Sequence, residues 1–174
     1  MKKVATFMVL IGIFLLAHPG RSAFAVGEKE NFAVVDIGKV FDEYEKTKKY
    51  DEQFQTEGRM KQEERDAIVH EVRRLRDEQA LLDKDARSDK QAAVDGKLKE
   101  LEKFDEEARK ALGEKRNTAV KEVFQDIENT VQQYGQRKGY DFVLNDRALI
   151  YHDKKYDVTA DVLSELNKSY QKRK

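Results

Sequence analysis

From Val40 to Lys138 the chain has no proline, and apolar residues recur there at helical spacing. Proline removes a backbone donor and clashes with the turn before it, so this stretch is free to form very long helices. Alternate steps of four and three give Val40, Tyr44, Thr47, Asp51, Phe54, Gly58, Lys61, Arg65, Ile68, Val72, Leu75, Gln79 and Leu82. The stripe is apolar at both ends and polar in its middle. It predicts an amphipathic helix of about 40 residues, about 60 Å long. Asp83 to Asp89 breaks the pattern, and Ser88 with Gln91 fits a capping box, so a second helix is expected from near Asp89 to about Lys138. Its stripe runs through Val94, Leu98, Leu101, Phe104, Ala108, Leu112, Ala119, Val120, Val123, Phe124, Ile127, Val131 and Tyr134. Arg137 and Lys138 suit its last turn and Gly139 the left-handed position beyond it. Reflection about the break sets Leu75 against Leu98, Val72 against Leu101, Ile68 against Phe104 and Tyr44 near Ile127. Apolar meets apolar at both ends, so 40–138 reads as one antiparallel coiled-coil arm with its tip near 83–89.

The flanks have another character. Phe32-Ala-Val-Val-Asp-Ile37 reads as a buried strand, and Tyr140–Leu144 and Ala148–Tyr151 as a hairpin about Asn145-Asp146-Arg147. A last helix opens at Asp157 or Thr159, with Val162, Leu163, Leu166 and Tyr170 on its apolar face. Residues 26–39 and 139–174 would thus form a small β head at the base of the arm. Its core is marginal for one chain and its strand edges are exposed, so an oligomer is expected. The candidate oligomerisation residues are Phe32, Val34, Val35, Ile37, Phe142, Leu144, Leu149 and Tyr151.

The start of the chain reads as a secretion signal. Lys2 and Lys3 precede an uncharged run from Val4 to Ala17, and Ala23-Phe24-Ala25 supplies a small-x-small cleavage site. Cleavage after Ala25 leaves 31 basic and 34 acidic residues, a balance against nucleic acid as a partner. With no cysteine there is no disulfide and no thiolate chemistry. Nor is there a phosphate loop, a nucleophile elbow or a paired-histidine zinc motif, and His70 and His152 are isolated. No enzyme activity and no cofactor are expected.

Three segments resemble the Skp/OmpH family in order: Phe32-Ala-Val-Val-Asp-Ile-Gly-Lys-Val-Phe41, then Gly139-Tyr-Asp-Phe-Val-Leu-Asn145 with Ala148-Leu-Ile-Tyr151, then Asp157-Val-Thr-Ala-Asp-Val-Leu163. The resemblance implies a mainly α fold with a small β head: a long helical hairpin, or tentacle, on an oligomeric β-barrel body. It further implies a trimeric, ATP-independent periplasmic holdase that binds unfolded outer-membrane proteins between tentacles and prevents aggregation. The alternative is a coiled-coil spacer or tether of the cell envelope. Residues 73–103 carry 9 basic and 8 acidic side chains, so capture of lipopolysaccharide or membrane by a basic tip is not carried over. Met60, Val69 and Leu81, apolar but outside the stripe, are candidate client contacts. Gly58 and Gly113, at one level of the arm, are candidate hinge positions.

Overall fold

The computed structural model describes residues 30–173; the signal read at 1–25 lies outside the described residues. Strand β1, Phe32–Val35, buries Ala33, Val34 and Val35. Helix α1, Ile37–Glu43, starts where the Asp36 carboxylate accepts from Lys39 N at 2.9 Å. Helix α2, Glu45–Ala80, and helix α3, Lys84–Lys138, form the arm. At 1.5 Å per residue α2 extends about 54 Å. Strand β2, Phe142–Asn145, two short 3-10 turns and helix α4, Thr159–Lys172, complete the base. Among the described residues no helix is long and apolar enough to cross a membrane.

The expected β-barrel body is absent: among the described residues the fold is mainly α, with one sheet of two strands and no closed barrel or oligomeric body. β1 and β2 pair in parallel, Phe32 opposite Phe142 and Val35 opposite Asn145. Ala148–Tyr151 is not a strand, and the expected hairpin does not form. The Asn145 side chain instead accepts from Arg147 N at 3.3 Å, and Asp146–Ala148 coils into a 3-10 turn that carries the chain off the sheet. The other edge of β1 is taken by Asp157, bridged to Val34, while Val158 N donates to Val34 O at 2.9 Å. The pairing is parallel because the arm sends the chain out and back before β2 begins. Gly139, at φ 70°, makes that last reversal, and Tyr140 N closes it on Gly135 O at 3.0 Å.

Two helix boundaries differ from expectation, and the last helix opens at Thr159 as expected but with another residue at its cap. The first long helix is broken at Tyr44, whose ψ of 129° leaves the helical range. The second starts at Lys84: the Asp83 carboxylate caps it, accepting from Ala86 N at 3.1 Å, and Ser88 lies inside the helix. Arg87 explains the choice, since its guanidinium donates back to Leu82 O at 2.9 Å and Ala80 O at 3.3 Å, capping α2 across a turn of only 81–83. At α4, Val158 occupies the cap position with no side-chain bond. Asp157 accepts from Thr159 N at 2.9 Å, and the Thr159 hydroxyl accepts from Asp36 N at 2.9 Å. That last bond ties α4 to the start of α1.

A single chain supplies the core of the base: Ala33, Val35, Val40, Tyr44, Val123, Ile127, Tyr134, Val158, Val162 and Leu166 are buried together. The break at Tyr44 allows this. α1 lies down on α4 while α2 departs along α3, a change of course that an unbroken helix could not make.

Candidate functional site

The arm is fixed to its base at Asp126 of α3. Its carboxylate accepts from the hydroxyl of the fully buried Tyr44 at 3.1 Å and from Lys46 Nζ at 3.0 Å, and pairs with Arg173, just past the end of α4, at 3.3 Å. Burial pushes the Asp126 carboxyl up, but the bonds from Lys46 and Tyr44 and the charges of Lys46 and Arg173 outweigh it and hold it below its ordinary range. Burial, then the Asp126 charge, raises the Tyr44 phenol. One turn further out, Tyr50 donates to Glu122 at 2.6 Å, a bond that with burial pushes Tyr50 up to about 12. A depressed carboxyl contributes stability above its unfolded value, about 3.9, and loses it as pH falls through its folded value. Acid unfolding followed by circular dichroism should therefore begin below about pH 4, and at higher pH in Lys46→Met.

Beyond this joint, the cross-links keep the reflection about the turn: Glu57 to Lys115 at 2.7 Å, Arg65 to Asp105 at 2.9 Å, Glu78 to Lys90, and Gln79 to Gln91 at 2.8 Å. Val72 and Val94 are the buried apolar residues of the outer arm. A two-helix seam has too little interior to bury a full stripe, so solvated ion pairs register it at modest gain.

Apolar surface is left over in two places. At the arm root, Phe41 stacks on Phe124 with centroids 5.1 Å apart, and Val120 and Phe124 stay exposed, although the sequence stripe put both in the seam. Below them a groove of about 460 Å³ is lined by Val35, Ile37, Phe124, Ile127, Val131 and Val143. On the sheet, Phe32 stacks on Phe142 at 5.7 Å, and Phe142 (52% exposed) and Leu144 (37%) lie along the free edge of β2. Fully outward Ile150 and Tyr151 (83%) follow in the next loop. Alternation along β2 is the signal that could have separated outer from inner residues here; the Phe41–Phe124 surface left no local sign.

The candidate oligomerisation residues thus divide. Phe32 and Phe142 meet, Val34 lies opposite Leu144 in the register, and Val35 and Ile37 line the groove. Leu149 is half-buried and Tyr151 stands apart. Met60 (50% exposed) and Leu81 (88%) are outward and Val69 is half-buried; Met60 and Val69 lie apart on α2 and Leu81 in the turn beyond it, so they are not gathered at one site. Gly58 and Gly113 flank the level of the Glu57–Lys115 pair, and a Cβ at either would meet no atom within 4 Å. Among the described residues no group of three or more His, Cys, Asp or Glu could hold a metal ion.

A two-helix arm rooted in a small α/β base, with apolar surface outward, defines the fold. The chain belongs to the OmpH-like family of outer membrane proteins, the Skp/OmpH periplasmic chaperones: the family profile matches residues 31–166. Proteins of this family are non-catalytic chaperones associated with outer-membrane protein biogenesis. Among solved structures, one described as an OmpH-like outer membrane chaperone from Caulobacter crescentus CB15 shares the fold, with a TM-score of 0.69 and 17% identity. The match covers 80% of this chain and 85% of that one. A search of curated proteins finds no match.

Proposed function

We propose that this chain is an ATP-independent periplasmic holdase, exported by a signal cleaved after Ala25, whose arms hold unfolded outer-membrane proteins and keep them from aggregating. The observation that carries this reading is apolar surface left outward by a chain of this family whose base already has a complete core. Apolar contact contributes roughly 25 cal/mol per Å², so many shallow contacts give useful affinity without a deep pocket. The arm offers such contacts at Met60 and Val69 on α2 and at Leu81 in the turn beyond it. Holding a client between arms needs more than one copy. The apolar face of the base, from the free edge of β2 to the Ile37–Val131 groove, is the surface by which copies associate, as a homotrimer in the family pattern.

The test dilutes a urea-unfolded outer-membrane protein into buffer with the purified chain and follows light scattering. Suppression near stoichiometric ratios without nucleotide is expected; unchanged scattering would favour the envelope spacer. Met60→Gln, Val69→Gln and Leu81→Gln together should weaken holding several-fold, and unchanged holding removes them as contacts.

Gly58 and Gly113 form a hinge that lets the arm splay for clients of different size. Packing does not require either glycine. Each costs about 1 kcal/mol relative to alanine inside a helix, so Gly58→Ala with Gly113→Ala should stabilise the arm by up to about 2 kcal/mol. Hydrogen exchange should slow in 55–62 and 109–117. If those segments are already as protected as 68–82 in the unaltered chain, there is no hinge.

A further inference from the structure

Residues 146–157 leave the sheet and return to it, with Ile150 and Tyr151 at the crest. A 3-10 turn stands at each end, Asp146–Ala148 and Lys154–Tyr156. His152 lies between them: its Nε2 is 2.7 Å from Asp146 Oδ1, and its Nδ1 is 3.2 Å from the main-chain oxygen of Asp153. A carboxylate and a carbonyl can only accept hydrogen bonds. A neutral imidazole donates from one nitrogen and accepts at the other, so either neutral tautomer would set a lone pair against a lone pair. Only the imidazolium satisfies both contacts.

The surrounding charges favour the same form. Asp157, bridged to β1, feels the fields of both His152 and Lys39 of α1. The Asp153 carboxylate is 3.6 Å from Lys155 Nζ, which offsets part of its charge. From the first turn, the Arg147 guanidinium lies over Gly38, at the start of α1.

We propose that His152 is a proton-operated clasp: its charged ring ties the first 3-10 turn to the second and keeps Ile150 and Tyr151 projecting, and loss of the proton frees the segment. The bond to the Asp153 carbonyl, and then the bond and charge of Asp146, raise the ring above its ordinary value near 6.5. For a raised histidine the contribution is complete below about 6.5 and is lost as pH rises through the ring's own higher value. The segment is therefore clasped in mildly acidic surroundings and loosened in alkaline ones.

The test reads the full chain by NMR, with the His152 ring signals assigned by their loss in His152→Gln. A midpoint above 6.5 is expected, moving toward 6.5 in Asp146→Asn. Amide protection over 149–156, corrected for intrinsic exchange, should fall between pH 6 and pH 8.5 by about tenfold for every pH unit by which the midpoint exceeds 6.5. His152→Gln should show the low protection at both pH values while β1 and α4 keep theirs. A midpoint at or below 6.5, or protection independent of pH, overturns the clasp. These readouts depend on neither client binding nor self-association, so they stand or fall apart from the holdase reading.

Discussion

Tyr44→Ala should lower the free energy of unfolding by about 3–5 kcal/mol, among the largest effects open to a single side chain here. Tyr44 is fully buried, its ring meets Tyr170 edge-on at 5.7 Å, and its hydroxyl donates to Asp126. Removing it opens a cavity where α1, α2, α3 and α4 converge and takes a donor from a carboxylate that Lys46 and Arg173 then hold alone. Tyr44→Phe keeps the ring and loses only the bond, so about 1–3 kcal/mol is expected. Urea unfolding followed by circular dichroism separates the two. A loss below 1 kcal/mol for the alanine variant would mean that the arm is not anchored at this joint.

If copies associate through the apolar face of the base, as proposed, Phe142→Asp with Leu144→Asp should dissociate them without unfolding the chain. Both residues are partly exposed on β2, but Phe142 also stacks on Phe32, so a single chain should lose about 1–3 kcal/mol of stability and stay folded. With about half or less of each side chain left to bury, each would lose about 0.5–1.5 kcal/mol of apolar burial between copies, and together they would weaken association by roughly fivefold to 150-fold. Sedimentation should find the double variant monomeric at micromolar concentration where the unaltered chain is assembled. Holding per chain should fall with it, because a lone arm encloses nothing. An unaltered chain that sediments as a monomer, or a variant that stays assembled, ends the self-association reading and leaves the test of holding open.

What could be read in advance follows the range of the forces involved. The helical stripes, the cations of the last turn of α3 and the left-handed Gly139 belong to neighbours within a turn or two, so local spacing carries them. The break at Tyr44 was invisible because tyrosine continues a helix well enough; it bends there to reach Asp126, 82 residues further on. Two caps were on offer at the tip, Asp83 and Ser88, and local rules do not rank them. Arg87 decides, because it reaches Ala80 and Leu82 only from the first turn of a helix capped by Asp83. Val120 and Phe124 fit the apolar stripe, yet a two-helix seam cannot cover its full width, and they remain outside.

By itself the sequence determines that this chain makes two long helices, reverses at Gly139 and carries no recognisable catalytic motif, since each is written in residues a few positions apart. Tertiary structure alone decides that β1 and β2 run parallel, that the base closes its core within one chain, and that both ring nitrogens of His152 face acceptors. Phe32 lies opposite Phe142, and Asp36 N is bound by Thr159 across 123 positions. Contacts at such separations are selected by how whole elements pack, and they leave no period, cap or turn in the local sequence from which they could be read.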